Sequence, residues 1–286
     1  MIGYRHLRFP GGLAKAVTFS YDDGCPQDVR WADMLTSYGL KATFNLTGDK
    51  IWKEPRLSKQ TVEDHMLAHG HEVATHGLCH LAPGMVRPIE GVRDSLDCRL
   101  YLEQRFGRII RGMAYPDSGV NYYENGAEYG SIRQYLKELD IAYARRAHFE
   151  VHGEFELPQD FYRWNPTAHH NCPQLDELMA RFVACDPNAE KNWKARAPKL
   201  FYVWGHAYEF DNNNNWDRAE SMCRTLSGHD NVWYATNIEI CDYVGAYQSL
   251  RYSADGSMIE NPTCTDVWMD WGGSVFCVPA GKTVRL

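Results

Sequence analysis

Short apolar segments rich in β-branched and aromatic residues alternate with helical segments along most of this chain. The strand candidates are residues 17–21, 42–46, 72–75, 110–115, 141–144, 200–204 and 232–235. Each of them is followed by a helix candidate. Because parallel strands need long crossover connections, seven such units predict an α/β protein with a parallel sheet. That number of units favours a barrel over an open sheet.

The helix candidates have the periodicity and the ends that helices need. In the first, Val29, Ala32 and Leu35 recur at every third residue, and Gly39 follows where a helix C-terminus favours a left-handed residue. Gly107 stands in the same relation to a helix at residues 89–106. The other candidates are a stretch ending at Gly70 and residues 132–139, 175–184, 216–226 and 238–247.

The sequence changes character after Leu250. Glycine-containing turns at residues 255–256, 272–273 and 280–281 separate short β-prone stretches, which is typical of a small β-meander. We therefore divide the chain into a barrel domain, residues 1–247, and a C-terminal β extension, residues 248–286, that packs on the barrel.

Composition and charge argue against several kinds of partner. The chain has a net charge of −7 and no basic stripe, so we expect no nucleic acid partner. No apolar run approaches a membrane span, and the first 12 residues lack the apolar stretch of a signal peptide. Nine cysteines without a close Cys-x-x-Cys pair are typical of reduced thiols. We expect a cytoplasmic protein with no membrane partner, whose oligomeric state the sequence leaves open.

Acidic residues and histidines recur where the predicted strands end. The strand ends carry, in chain order, Asp22 and Asp23, His76 and His80, Tyr115 and Asp117, and His206. In α/β barrels the carboxyl ends of the strands form the catalytic face. A lone Asp-Asp-Gly is more often only a turn, and about half of such His pairs bind nothing, yet independent turns would not place these groups at successive strand ends. The sequence therefore predicts an active site at this face.

Two histidines and one acid have the spacing of a metal site. His76 and His80 lie four residues apart. With a carboxylate from a neighbouring strand end, they can supply three ligands and leave a position open for water, as catalytic sites do. Asp23 is the natural ligand. Asp22, kept ionised beside a cation, is then free to accept a proton from water as a general base.

Four segments resemble the motifs of a known family. Residues 18–24, Thr-Phe-Ser-Tyr-Asp-Asp-Gly, and residues 76–80, His-Gly-Leu-Cys-His, resemble the first two motifs of the NodB-homology polysaccharide deacetylases, the family-four carbohydrate esterases. Residues 114–119 and 203–206 are similar to the third and fifth motifs. The third motif departs from the family pattern because Ala114 stands where many members have arginine. The fourth is matched only loosely, by residues 163–165.

The resemblance covers residues 13–245 and implies an irregular (β/α)7 barrel, to which the small C-terminal β-meander is added. It implies one divalent metal, zinc first and cobalt, nickel or manganese as options. The roles that it implies are metal ligands for Asp23, His76 and His80, general base for Asp22, general acid for His206, and the groove wall and oxyanion N–H for Tyr115 and Asp117.

The implied reaction is the removal of an acetyl group, most readily an N-acetyl group, from an amino sugar, an oligosaccharide or a related saccharide. A cytoplasmic location favours a small saccharide over a cell-wall polymer. Two alternatives stay open: an amidase acting on a non-sugar substrate, and a catalytically silent saccharide-binding protein.

The residues around the predicted site are expected to contact the substrate or to support the catalytic groups. The candidates are Arg163, Trp164, Trp204, Glu209, His169 and His170. Trp164 and Trp204 would offer aromatic faces to a sugar ring. Because Ala114 cannot hold the base in place, we expect the guanidinium of Arg163 to reach the carboxylate of Asp22 with paired hydrogen bonds.

Overall fold

The structure of the protein, a computed structural model, describes residues 3–48, 57–147 and 151–286. Its strands are β1 (Arg5–Arg8), β2 (Lys15–Asp22), β3 (Ala42–Leu46), β4 (Glu72–Thr75), β5 (Gly112–Ala114), β6 (Tyr143–Arg145), β7 (Ala168–His169), β8 (Lys199–Gly205), β9 (Val232–Tyr234), β10 (Arg251–Tyr252), β11 (Met258–Glu260), β12 (Val267–Trp271), β13 (Ser274–Val278) and β14 (Thr283–Arg285). Its α-helices are α1 (Gln27–Ser37), α2 (Lys59–His65), α3 (Pro88–Phe106), α4 (Tyr129–Glu138), α5 (Leu175–Ala184), α6 (Tyr208–Asn212), α7 (Trp216–Leu226) and α8 (Asn237–Gln248).

A curled parallel sheet forms the centre of the fold, with strand order β6-β5-β4-β3-β2-β8-β7. Strand β9 lies off this path and pairs with the first half of β2, whereas β3 pairs with the second half. Between the edge strands β6 and β7, Trp164 forms a parallel bridge with Arg145. The irregular (β/α)7 barrel that the sequence predicted is therefore confirmed.

The alternation of residues along β2 separates an apolar face from a polar one. Phe19 and Tyr21 pack on Trp31 of α1, with ring centroids 5.9 Å and 5.1 Å away. Burying side chains of this size stabilises a fold by roughly 1.5–3 kcal/mol each. Ser20 and Asp22 lie on the other face, where Asn45 Nδ2 of β3 donates to Ser20 Oγ at 2.7 Å. The polar face leads directly to the carboxyl end of β2.

The C-terminal β structure is confirmed, but it is divided between two three-stranded sheets, β1-β12-β13 and β10-β11-β14. The sequence does not predict β1, which pairs antiparallel with β12. Its residue Arg8 forms a buried ion pair with Asp270 of β12 at 2.7 Å. Tyr243 of α8 donates its hydroxyl to the Arg8 carbonyl oxygen at 2.8 Å. An N-terminal strand therefore joins the C-terminal sheet, and the division at residue 247 stays a prediction.

A second strand that the sequence does not predict is β7. It has only two residues and is followed by His170 and Asn171, so it carries no apolar period that would indicate a strand. It pairs with β8, where Ala168 faces Val203 and His169 faces Trp204. This pairing brings His169 and His170 to the carboxyl edge of the sheet.

In the described part of the chain, no helix has the length and the apolarity to cross a bilayer.

Candidate metal and active site

Asp22 and Asp23 occupy the carboxyl end of β2. Asp22 is the last residue of the strand and is buried. Asp23 has a φ of 80°, a left-handed conformation that costs a residue with a side chain roughly 1–2 kcal/mol. Its N–H donates to the Asn45 carbonyl oxygen at 3.0 Å, which holds the turn in place. Because Asp22 ends the strand and Asp23 lies in the turn, the two carboxylates contact different side chains.

Asp23, His76 and His80 bring three ligand atoms together. Asp23 Oδ1 lies 3.6 Å from His76 Nε2 and 3.5 Å from His80 Nε2. All three atoms lie within 4.8 Å of one another. His80 also has a positive φ, 54°, and backbone strain of this kind is concentrated at functional sites. The arrangement has the size of a site for one ion.

A hydrogen bond at the second ring nitrogen of His76 fixes the tautomer that a metal ligand needs. Its Nδ1 lies 2.9 Å from the carbonyl oxygen of Ala114, which can only accept, so Nδ1 carries the proton and Nε2 presents its lone pair. Burial lowers the pKa of His76 in spite of Asp22 and Asp23, which favours the neutral form that binds metals. Two imidazoles and one carboxylate suit zinc and other borderline ions. The residues present therefore fit a divalent ion.

Asp22 is held by Arg145, the last residue of β6. Arg145 Nη2 donates to both carboxylate oxygens of Asp22, and Asn45 Nδ2 donates to Oδ1 at 2.8 Å. Burial acts to raise the pKa of Asp22, but Arg145, together with His76 and His206, outweighs burial and holds that pKa below its ordinary value. Asp22 is therefore ionised, as a general base must be.

The prediction that Arg163 holds Asp22 is wrong. Arg163 is exposed, and its guanidinium carbon lies 3.8 Å from the centre of the Tyr129 ring. It ends a 3-10 turn, whereas β6 delivers Arg145 to the carboxyl edge of the sheet. The signal for Arg145 was available, since this residue directly follows the strand predicted at residues 141–144.

His206 follows β8 and lies between two carboxylates. Its Nε2 is 4.0 Å from Asp22 Oδ2, and its Nδ1 is 2.7 Å from Glu209 Oε1. Because a carboxylate accepts hydrogen bonds, Nδ1–H is the donor to Glu209. The other ring nitrogen, Nε2, faces Asp22. Burial acts to lower the pKa of His206, but the hydrogen bond to Glu209 and the charges of Asp22 and Asp23 raise it overall. The imidazole is therefore suited to hold a proton and to release it from Nε2.

Glu209 also receives the side chains of residues 169–171. Its Oε2 lies 2.9 Å from His170 Nε2, 3.4 Å from His169 Nε2 and 2.8 Å from Asn171 Nδ2. His170 is 0% exposed, so it cannot touch a saccharide. As a substrate contact the prediction for His170 is wrong, and the geometry instead gives this residue a supporting place behind Glu209.

Trp164 and Trp204 are each 1% exposed, so the prediction that their faces stack on a sugar ring is wrong. The ring of Trp164 packs edge-on against Tyr143 and Tyr202 inside the barrel, with centroids 5.4 Å and 5.0 Å away. The Arg145 guanidinium carbon lies 4.7 Å from the centre of the Trp204 ring. Both indoles fill the floor beneath the polar site, because each belongs to a segment that bridges or forms a barrel strand.

Tyr115 lies beneath the site rather than in its wall. Its side chain is buried, with the hydroxyl donating to the Tyr162 carbonyl oxygen at 2.9 Å. Its N–H donates to the Arg145 carbonyl oxygen at 2.9 Å. Neither donor is available to an oxyanion, so the prediction for Tyr115 is wrong. Asp117 is exposed with a φ of 51°, and its N–H stays the predicted oxyanion donor.

Comparison of the sequence with known proteins gives one family. Residues 11–144 match the family model described as "Polysaccharide deacetylase". A chitooligosaccharide deacetylase from Bradyrhizobium sp. (strain ANU 289) is 34% identical over 80 residues. This match covers 27% of the chain, and it spans only 33% of the length of that relative.

Comparison of the fold gives neighbours of the same kind. A solved structure from Mycobacterium smegmatis, whose description names a polysaccharide deacetylase, superposes with a TM-score of 0.58 at 14% identity, over 86% of this chain and 96% of that one. Peptidoglycan deacetylase PdaC from Bacillus subtilis, at 16% identity, covers 82% of this chain and 93% of its own with a TM-score of 0.49. The resemblance to the NodB-homology enzymes is confirmed by the match of residues 11–144 to the polysaccharide deacetylase family model.

Proposed function

We propose that this protein is a metal-dependent hydrolase that removes an acetyl group, N-acetyl first, from an amino sugar or an oligosaccharide. The observation that carries the proposal is the separation of two adjacent acids. Asp23 lies against the His76 and His80 nitrogens, whereas Asp22 is held apart by Arg145. A ligand set and an ionised base therefore lie side by side. The chitooligosaccharide deacetylase of Bradyrhizobium supports an N-acetyl saccharide as substrate.

Asp23, His76 and His80 would hold the divalent ion, with zinc the first candidate and cobalt, nickel and manganese as further options. Such an ion supplies Lewis acidity, which makes a water molecule more acidic and an acyl carbonyl more electrophilic. Asp117, an exposed residue in the turn that follows β5, would offer its backbone N–H to the oxyanion that develops on the acyl group.

Asp22 acts as the general base through Oδ2. That oxygen lies 3.9 Å from His76 Nε2 and 4.0 Å from His206 Nε2, so it faces the space where the water and the acyl group must meet. The other oxygen, Oδ1, accepts from Asn45 Nδ2, whereas Arg145 Nη2 donates to both oxygens. The attacking water therefore gives its proton to Oδ2.

His206 acts as the general acid through Nε2. An amine cannot leave as an anion, so its nitrogen must be protonated before the C–N bond breaks. His206 carries its first proton on Nδ1, toward Glu209, and a second on Nε2, toward the reaction space. Transfer of the Nε2 proton to the departing nitrogen leaves a neutral imidazole.

All nine cysteines lie in the described part of the chain, and none of them forms a disulfide bond there. Reduced thiols support the proposal that the protein works on a small saccharide in a reducing compartment. The test is acetate release by metal-loaded protein. The panel contains N-acetylglucosamine oligomers, an O-acetylated xylooligosaccharide, and an N-acetyl amide that is not a sugar. We expect the fastest release from the N-acetyl oligomers. Release from the non-sugar amide alone would replace the proposal with an amidase, and no release from any compound would overturn it.

A further inference from the structure

The segment His169-His170-Asn171 lies outside the family motifs, and all three of its side chains contact Glu209 Oε2. The other oxygen, Oε1, accepts from His206 Nδ1 at 2.7 Å. One carboxylate thus receives four side chains. Convergence of this kind is costly to build, because four side chains lose their rotamer freedom together.

The ligand atoms of His169, His170 and Glu209 lie close enough together to suggest a second metal site. The positions of the protons decide against it. The Asn171 backbone N–H lies 3.2 Å from His169 Nδ1 and donates to it, so a neutral His169 carries its proton on Nε2, toward Glu209. A metal would need the lone pair of that same Nε2. The cluster is therefore explained by hydrogen bonds from His170 and Asn171 to the carboxylate, with His169 Nε2 facing the same oxygen at 3.4 Å.

His170 has its tautomer fixed in the same sense. Its ring stacks between Tyr21 and Phe210, with centroids 5.6 Å and 4.3 Å away. Burial lowers the pKa of His170 to about 4, so the ring is neutral. The Tyr21 hydroxyl, 3.1 Å from Nδ1, donates to that nitrogen, and Nε2–H donates to Glu209. A buried aromatic stack therefore holds a single donor aimed at Glu209.

Glu209 is kept as an anion by these donors. Burial acts to raise its pKa, but the hydrogen bonds from His169, His170 and His206 lower it far below the ordinary range. A carboxylate that stays ionised and cannot rotate offers Oε1 to His206 in one direction only. It thereby fixes the plane of the His206 ring and keeps the proton on Nδ1.

We propose that Glu209 and His170 are positioning residues for His206: Glu209 orients the imidazole, and His170 orients Glu209. The proposal rests on the role of His206 as general acid in the proposed function. When the C–N bond breaks, its electron pair stays on nitrogen, and the nitrogen takes the His206 Nε2 proton. The Nδ1–H bond to Glu209 persists through this transfer. Without His170, the Glu209 carboxylate can rotate. The His206 ring is then no longer held with its Nε2 directed at the leaving nitrogen.

The test compares three variants with the wild type. Glu209→Gln keeps the size of the side chain and removes its charge. His170→Phe keeps the aromatic stack and removes the donor, whereas His170→Gln places an amide donor near the position of Nε2. The matched control is His65→Phe, which breaks the exposed contact between His65 and Asp33, 2.7 Å long, elsewhere on the protein.

The first readout is turnover of an N-acetyl amide relative to turnover of an activated aryl acetate, whose leaving group needs no proton. Loss of a supporting group behind a catalytic residue typically costs about 10–100-fold. We expect Glu209→Gln and His170→Phe to lower amide turnover by at least about tenfold and aryl ester turnover by less than about threefold, with metal content unchanged. His170→Gln should recover most of the amide turnover, and His65→Phe should match the wild type.

The second readout needs no turnover. A His206 Nδ1–H held against a carboxylate gives a downfield imidazole proton signal in NMR, which we expect to be lost in Glu209→Gln and His170→Phe and kept in His170→Gln. If the wild type hydrolyses nothing, the proposed function fails and this signal alone decides the positioning roles. If His170→Phe does not fold, Glu209→Gln carries both readouts. A signal and an amide-to-ester ratio that these variants leave unchanged would overturn the inference.

Discussion

Arg145 Nη2 donates hydrogen bonds to both carboxylate oxygens of Asp22. Both residues are buried, and the guanidinium also lies over the ring of Trp204. A single nitrogen reaches both oxygens, so the contact depends on the position and charge of the guanidinium more than on a two-pronged fork. Arg145 thus fills the place that Ala114 leaves empty, from the next strand of the sheet.

Replacing Arg145 by methionine should weaken Asp22 as a base. Methionine keeps much of the apolar volume but removes the charge that lowers the Asp22 pKa, and burial, which acts to raise it, then dominates. Asp22 would stay protonated up to a higher pH, so the acidic limb of the pH–turnover profile should move to higher pH. Turnover at neutral pH should fall by about 10–100-fold with metal content unchanged.

The matched control for this prediction is Arg163→Met. Arg163 is an exposed arginine that lies over Tyr129, and it has no contact with Asp22. Its variant should keep both the turnover and the pH profile of the wild type. A pH profile that Arg145→Met leaves in place, or that Arg163→Met moves equally, would contradict the role given to Arg145.

Metal content should depend on His80. His80→Ala removes one of three ligand atoms that lie within 4.8 Å of one another, so the ion per chain measured by elemental analysis should fall from about one to well below half. The control is His69→Ala, since His69 is exposed and is not among the three ligand residues. Equal metal in His80→Ala and the wild type would show that the ligand set is elsewhere.

His71 should make the fold sensitive to acid. It is 4% exposed, and its Nδ1 accepts from the Ala42 N–H at 3.0 Å. Burial, which outweighs the other influences, lowers its pKa to about 4 from the ordinary 6.5. The neutral ring is therefore favoured by folding, so its contribution is complete above pH 6.5 and is lost as the pH falls toward 4.

The shift corresponds to about 3 kcal/mol. Asn at position 71 can still accept from Ala42 but does not titrate. Urea unfolding at a series of pH values should therefore show the wild type losing about 3 kcal/mol more than His71→Asn between pH 6.5 and 4. Parallel curves for the two proteins would contradict the assignment.

The sequence predicted the elements that are long or strongly patterned. The strand at residues 42–46 and the helices at 175–184 and 216–226 have the same bounds in the structure, because their apolar periods are unbroken and their ends are marked. Strands β1 and β7 were missed. The first depends on pairing with residues more than 250 positions away, and the second has two residues only. Neither carries a local signal.

The site shows the same division. The sequence predicts the five residues at the ends of its strands: Asp22, Asp23, His76, His80 and His206. It does not predict the residues that hold these five in place, because those contacts depend on which side chains cross the barrel. Arg145 reaches Asp22 although 123 residues separate them, and His170 reaches Glu209 from an unpredicted strand. For Trp164 and Trp204 the sequence predicted exposed substrate contacts at the rim of the site. Both side chains are instead buried beneath it.

The measurement that tests the proposed chemistry most directly is acetate release from an N-acetylglucosamine oligomer by metal-loaded wild type and by metal-loaded Asp22→Asn. Asn keeps the shape of the side chain but cannot take a proton from water. We expect steady acetate release by the wild type, and a loss of about 10²–10⁴-fold in Asp22→Asn with the same metal content. Acetate release by Asp22→Asn at the wild-type rate, with metal bound, would contradict the division of labour between Asp22 and Asp23.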